Sequence, residues 1–260
     1  IILGLEVGFC ALTYYNAYSY ILCSIILCLI SVIFNKMKAK QIIQKVLIVA
    51  IMAFLVSGWW FIRNAIIYNG DFLGINAQNE CGDKYAREEY KPSTRLTVQR
   101  KNESIIHMLI KDKWINVTLK SFIGIFGYNS IIMSNKIYYL YFLIWIIGII
   151  GCLIKFKDLF IYNKEEKNKC LLNYIFLLSI IVPISLSIYY SYTSDFQPQG
   201  RYIMGIIIPF TYFVVNGIEK ILEKFVKTEK IKKYIIFMII LLIVFISMIA
   251  LFGYVIPRYK

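Results

Sequence analysis

Long apolar stretches alternate with short polar stretches along almost the whole chain. A helix rises 1.5 Å per residue and the hydrocarbon core of a bilayer is about 30 Å thick, so a crossing needs roughly 17 to 25 residues. The stretches that approach or reach this length are residues 18–34, 46–67, 137–154, 170–190, 202–218 and 234–254. A shorter apolar segment, 1–12, precedes them. The pattern predicts an all-α fold, a polytopic transmembrane helical bundle with about seven membrane segments.

One large polar region, residues 69–135, interrupts this pattern. Within it, residues 96–119 carry apolar positions at three- and four-residue spacing, which predicts one or two amphipathic helices lying on the membrane face. Residues 121–133 are apolar but interrupted by glycine and too short to cross, which favours an interfacial or re-entrant segment. We therefore expect one extracytoplasmic loop region of amphipathic or interfacial helices.

The start of the chain bears on domain organisation. It begins on an apolar run, IILGLEVGFC, without an initiator methionine or a charged region before it, which is not the pattern of a signal peptide. We expect residues 1–260 to form a single membrane domain, the C-terminal part of a longer protein.

The lysines predict the orientation of the bundle. They concentrate in three short loops, residues 35–45, 155–169 and 219–233, which fall on one side if every predicted span crosses once. Short cytoplasmic loops carry an excess of Lys and Arg. The three loops are therefore predicted to be cytoplasmic, and alternation places 69–135, 191–201 and the C-terminus outside.

Composition excludes several classes of protein. Of the 260 residues, 59% are hydrophobic and 17% are charged, against about 25% charged in soluble domains. The net charge of +14 follows largely from the loop lysines, so we predict no nucleic-acid partner. The six cysteines and the single histidine, His107, show no zinc or disulfide spacing. No cofactor motif is evident in the sequence, and a requirement for a divalent metal is left open.

Two polar clusters are candidates for chemistry. The first follows Trp59 and Trp60 and contains Arg63 and, further on, Asp71; the second is a polar stretch between two spans, with members Asp195, Gln197, Gln199, Gly200 and Arg201. An arginine stays charged and donates paired hydrogen bonds to phosphate oxygens, so each cluster can bind an anionic head group. An equally weighted alternative is structural: Arg63 and Arg201 pair with Asp71 and Asp195 at the interface.

Three passages carry a resemblance to a known superfamily. SGWWFIRNAIIYNGDFLG resembles the W-x-x-R-N passage that leads to Y-G-D-P-x-G in bacterial integral membrane glycosyltransferases of the GT-C superfamily, although Asn69 is inserted and Phe72 replaces proline. SFIGIFGYNS is similar to their S-F-x-G-x-F-G-W passage, and QPQGRYIMGIIIPF to their Q-G-R-Y element. The trio most resembles a poorly characterised branch of predicted membrane proteins related to the dolichyl- or polyprenyl-phosphate-sugar mannosyltransferases.

The resemblance implies a transferase that moves a sugar from a polyprenyl-phosphate donor to an envelope glycan or lipid acceptor on the outer face of the membrane. It implies contact with the donor or its phosphate by Arg201, with Gln199 and Tyr202 beside it, and a weaker positioning role for Arg63 and Asp71. Asp195 belongs to the same candidate set. The catalytic acid of such families lies in an early extracytoplasmic loop that this chain lacks, so the catalytic residue is unknown.

Two other functions fit the same pattern. A transporter or flippase for a lipid-linked or anionic solute would place ionisable residues at mid-membrane depth, and Glu6 is the single candidate in the sequence. A non-catalytic membrane protein of envelope assembly would use Arg63 and Arg201 only as structural ion pairs.

Overall fold

The computed structural model describes residues 1–13, 17–35, 38–127, 129–161 and 166–259. Its helices and strands are α1 (Ile2–Ala11), α2 (Tyr18–Asn35), α3 (Ala39–Ile67), α4 (Ile75–Tyr85), α5 (Ile105–Ile110), α6 (Trp114–Gly124), β1 (Ile125–Phe126), β2 (Ile131–Ile132), α7 (Asn135–Ile154), α8 (Phe156–Phe160), α9 (Lys167–Thr193), α10 (Ile207–Phe225) and α11 (Glu229–Ile249). Short 3-10 helices at Glu88–Tyr90, Gly200–Ile206 and Ile256–Arg258 and a π-helical turn at Ala250–Val255 complete them.

The helical and membrane character of the prediction is confirmed. Within the described residues, five helical segments are long and apolar enough to cross a membrane: Lys40–Ile67, Asn135–Ile154, Asn168–Thr193, Gly200–Phe225 and Glu229–Arg258. Helix α1 is a shorter apolar helix, and α2 covers the predicted 18–34 segment. The predicted total of about seven crossing segments therefore stays a prediction.

The chain forms two compact units, residues 1–108 with 181–196, and residues 109–180 with 197–260. In the first unit, glycines bring α1 against α3. A Cβ built on Gly4 would lie 2.7 Å from Met52 Cβ, and one on Gly8 would lie 2.7 Å from Val56 Cβ. Since the partner numbers rise together, α1 and α3 run parallel. Small residues at such contacts let membrane helices approach closely.

In the second unit, α7 and α10 also run parallel, and they touch backbone to backbone. Gly148 faces Val214, and a Cβ built on Gly151 would lie 1.9 Å from the carbonyl oxygen of Gly217. No side chain larger than hydrogen fits at that contact without moving the helices apart. Gly200–Phe225 has the largest buried share of its apolar window among the five candidate spans, 39%. Helix α10 therefore lies at the centre of this unit.

Charged groups meet where α7 and α10 end. Lys155 Nζ lies 3.9 Å from a carboxylate oxygen of Glu219, and Lys220 Nζ lies 3.5 Å from Asp158. The lysine-rich loops 155–169 and 219–233 therefore begin at the same end of this helix pair, as their assignment to one side of the membrane requires.

Buried polar side chains attach α8 to its neighbours in the second unit. Asn173, fully buried in α9, donates a 2.7 Å hydrogen bond to the carbonyl oxygen of Leu159 and accepts a 2.8 Å bond from the Tyr212 hydroxyl of α10. Tyr174 donates to the carbonyl oxygen of Phe160. These bonds satisfy the carbonyls at the C-terminal end of α8, which its own short helix leaves unpaired.

The polar region differs from the prediction in detail. It contains α4, which we did not predict, and residues 96–104 form turns rather than an amphipathic helix. The predicted interfacial segment 121–133 contains the end of α6 and a two-stranded antiparallel hairpin in the register Ile125↔Ile132. Gly127 (φ 53°) and Asn129 (φ 61°) take left-handed conformations that permit this tight turn. Strands of two residues give no alternating pattern that a sequence could display.

Candidate functional site

Gly200 fixes the position of the polar stretch that the sequence singled out. It is buried against α6: a Cβ at this residue would lie 2.1 Å from the backbone nitrogen of Phe122 and 2.5 Å from the carbonyl carbon of Ser121. Two of the three passages that carry the resemblance, 121–130 and 197–210, are therefore packed together at this contact. We call residues 197–206 the Arg201 turn.

Arg201 is the first cationic side chain after this contact, and it is exposed. Its Nη2 donates a 2.8 Å hydrogen bond to the Tyr202 hydroxyl, and its guanidinium carbon lies 4.9 Å from the centre of the Tyr202 ring. The Tyr202 hydroxyl donates in turn to Oε1 of Gln197. The sequence predicted Gln197 only as a member of the polar stretch, without an individual role. This chain of bonds orients the guanidinium.

The 3-10 helix that carries Arg201 is closely packed on its apolar residues. Ile203 and Ile206, on the same 3-10 helix, are 3% and 5% exposed. Phe122, whose backbone Gly200 contacts, packs edge to face with Trp145 and Phe210, with ring centres 5.1 to 6.4 Å apart. The guanidinium is thus presented from a rigid base, which lowers the entropy lost when an anion binds.

Gln199 and Asp195 were also predicted as site residues, and the structure shows backbone hydrogen bonds for both. Gln199 takes part through its backbone: its N–H donates to the carbonyl oxygen of Gln197, and its own carbonyl accepts from Tyr202. Asp195 belongs to the first unit, at the end of α9, where its N–H donates to the carbonyl oxygen of Tyr190.

Arg63, in the first unit, has different surroundings. Its Nη1 donates a 2.9 Å hydrogen bond to Oδ1 of Asn64, and its guanidinium carbon lies 5.1 Å from the centre of the Trp60 ring. Asn64 is 2% exposed and its Nδ2 approaches the carbonyl oxygen of Phe72 at 3.4 Å. Arg63 and Asn64 thus connect α3 to the chain that follows it. We call residues 60–77 the Arg63 turn.

Asp71 caps helix α4. Its Oδ1 accepts hydrogen bonds from the backbone N–H groups of Gly74 and Ile75, at 3.1 and 3.3 Å, and its Oδ2 accepts from Ala77 at 3.0 Å. A carboxylate at this place satisfies N–H groups that a helix leaves unpaired and complements its dipole. In the described part of the chain no ion pair joins Asp71 to Arg63, so the structure does not show the ion-paired alternative for these two residues.

His107 is exposed, and its Nδ1 lies 3.5 Å from a carboxylate oxygen of Glu103, one helical turn earlier. A second polar contact of this region involves Asp83 in α4. A 2.8 Å hydrogen bond from the backbone N–H of Ser93 holds the pKa of the Asp83 carboxyl below its usual value. Both contacts are local links within the polar region.

Comparison of the chain with protein-family models, with curated proteins and with solved structures finds no match. The superfamily resemblance drawn from the three passages therefore stays a prediction.

Proposed function

We propose that this protein is an integral membrane glycosyltransferase that moves a sugar from a polyprenyl-phosphate donor to an envelope glycan or lipid acceptor. The observation that carries the proposal is the exposed Arg201, oriented by Tyr202 on a rigid turn that leads directly into an apolar, membrane-length helix. A donor of this class has a phosphate at the membrane surface and a tail in the lipid, which matches a cation at the mouth of an apolar helix.

In this proposal Arg201 acts on the leaving group. The bond between the sugar's anomeric carbon and the phosphate oxygen breaks as the acceptor hydroxyl oxygen bonds to that carbon, and a carboxylate base takes the hydroxyl proton. Negative charge grows on the departing lipid phosphate, and a fixed guanidinium stabilises it most in the transition state. The base is not among the residues assigned here. Asp71 is engaged in capping α4, and we give it no part in this step.

We also propose the orientation that the lysines predict. Loops 35–45, 155–169 and 219–233 face the cytoplasm, and the Arg201 turn, residues 69–135 and the C-terminus face outward. The common end of the two lysine-rich loops that follow α7 and α10 supports this orientation.

The experiment measures binding of radiolabelled polyprenyl-phosphate sugar to the protein in nanodiscs. We expect Arg201→Ala to weaken binding by roughly 10- to 100-fold, because a hydrogen bond between charged groups contributes about 1.5–3 kcal/mol. Arg258→Ala is the matched control: it removes an exposed arginine of the same unit. Both variants must show the wild-type unfolding temperature.

Two results would contradict the proposal. Equal binding by the two folded variants would remove Arg201 from the donor site. Donor binding followed by movement of the intact donor across the bilayer, without release of sugar to an acceptor, would favour the flippase function instead.

A further inference from the structure

A polar groove lies in the second half of the Arg63 turn, wholly within the first unit. Its volume is about 720 Å³, within the range of small-molecule sites. It is lined by residues 67–73, where the apolar helix α3 ends, and by the first half of α4. Its mouth therefore lies where a membrane-length segment gives way to polar chain.

The charges of the lining argue against an anionic ligand. Among the described residues that line it are the carboxylates of Asp71 and Glu80, and none of these residues is a lysine, arginine or histidine. A phosphate would meet two like charges without a compensating cation, which costs binding free energy. The groove is thus distinct in chemistry from the Arg201 turn, and it does not suit the phosphate role that the sequence suggested for Asp71.

The neutral polar groups favour a ligand that both donates and accepts hydrogen bonds. Asn69 and Asn76 each offer an amide with two N–H donors and a carbonyl acceptor, and Tyr68 offers a hydroxyl. Among the described residues, no hydrogen bond engages these three side chains. Three backbone N–H donors hold the Asp71 carboxylate in place, so it is a fixed part of the groove lining.

Two aromatic side chains of the lining are open to solvent. Tyr68 is 39% exposed and Phe72 is 56% exposed. An aromatic face is apolar and carries partial negative charge, so it attracts the weakly positive C–H groups on the face of a sugar ring. Aromatic faces beside amides and a carboxylate are complementary to a molecule with hydroxyl groups at its rim and C–H groups on its faces.

We propose that this groove binds a neutral saccharide. The inference concerns a different unit from Arg201 and does not depend on the transferase activity, although an acceptor or donor sugar of that reaction has the same chemistry. The saccharide has two conceivable sources, a soluble glycan or the head group of a glycolipid in the membrane.

The test is saturation-transfer NMR on the whole chain in nanodiscs, which avoids sugar-based detergents. One arm adds methyl glucoside, galactoside and mannoside in turn; a second arm places a monohexosyl diacylglycerol in the nanodisc; a third adds inorganic phosphate. We expect a dissociation constant on the order of 1 mM for at least one sugar. Asn76→Ala and Tyr68→Leu should each weaken it by about fivefold or more.

Gln78→Ala is the matched control, since Gln78 is an exposed amide on the same helix that does not line the groove. Binding that falls in Asn76→Ala and Tyr68→Leu but not in Gln78→Ala supports the proposal, and the arm in which it appears identifies the source of the sugar. Absence of saturation transfer in both sugar arms, equal binding by all three variants, or phosphate competing for the groove would overturn it. Loss of donor binding in Arg201→Ala with saccharide binding intact would support both proposals and show that the groove binds sugar without Arg201.

Discussion

The Arg201 turn and the Arg63 turn look alike in sequence and differ in structure. Each has an arginine at the end of an apolar segment, amides beside it and an aspartate within a few residues. In the Arg63 turn, the amide and the acid bind backbone groups: Asn64 approaches the carbonyl oxygen of Phe72, and Asp71 caps α4. In the Arg201 turn, the backbone is fixed by a glycine contact, and the polar side chains orient the arginine instead.

The comparison shows that two similar polar sequences can form different local structures. What distinguishes the two turns is which groups maintain the local fold. Where polar side chains maintain it, they are already occupied. Where a close backbone contact maintains it, the polar side chains bond to one another and orient the arginine.

The substitution with the largest expected effect is Gly200→Ala, which tests whether the glycine contact maintains the Arg201 turn. The new Cβ would meet the backbone of Phe122 at 2.1 Å, so α6 and the turn must separate, and we expect a loss of about 3 kcal/mol or more in stability. Gly70→Ala in the other turn meets no atom within 4 Å but keeps a φ of 96°, and should cost about 1–2 kcal/mol. Thermal unfolding in nanodiscs compares them. Equal losses would show that Gly200 is not a packing constraint.

Removing Asn64 tests the role of polar side chains in the Arg63 turn. Asn64 is itself 2% exposed, and Asn64→Ala leaves the Phe72 carbonyl and the Arg63 guanidinium without this partner, so it should destabilise the protein by about 1–3 kcal/mol. Gln197→Ala, the corresponding change in the Arg201 turn, should reduce donor binding while lowering the unfolding temperature less. The opposite ranking of the two stability losses would contradict the distinction.

Much of the membrane architecture could be predicted from sequence, and most of the site geometry could not. The predicted span 137–154 is α7 within two residues, because a bilayer demands one unbroken apolar stretch and the sequence displays it. The cap formed by Asp71 was missed because α4 has a polar surface and no buried residue, so nothing in the apolar pattern indicates a helix there.

The contact at Gly200 could not be predicted from the sequence either. A glycine in a polar stretch predicts a turn, and only the position of α6 shows that its missing side chain is what matters. The parallel pairing of α7 with α10 depends on glycines 66 residues apart in sequence, at Gly151 and Gly217, and a single sequence does not reveal such pairing.

The Asp71 cap gives a smaller effect. Asp71→Ala removes three backbone hydrogen bonds at the start of α4 and should lower stability by roughly 0.5–2 kcal/mol. Hydrogen exchange should rise at residues 74–77 and remain unchanged at residues 200–206. Asp71→Asn, which keeps one acceptor oxygen, should lie between Ala and wild type. Unchanged exchange at 74–77 would refute the capping role.

The smallest expected effect is a pH dependence beside α4. Because the folded-state pKa of Asp83 lies below its usual 3.8, its bond to Ser93 stabilises the polar region above that pH, and the stabilisation is lost as pH falls through the lowered pKa. Intrinsic amide exchange slows as pH falls, so the ratio of the Ser93 exchange rate to the intrinsic rate should show the loss as an excess in acid. Asp83→Asn should abolish that excess, and an identical profile in the variant would contradict it.

The backbone contact between α7 and α10 also bears on how the chain is made. Parallel neighbours need an intervening segment, and here the ribosome must add α8, α9 and the Arg201 turn before Gly217 can meet Gly151. At about 5–20 residues per second, those 66 residues take roughly 3 to 13 s. During that interval the glycine face of α7 has no partner, so the closest helix contact of this unit forms only late in synthesis.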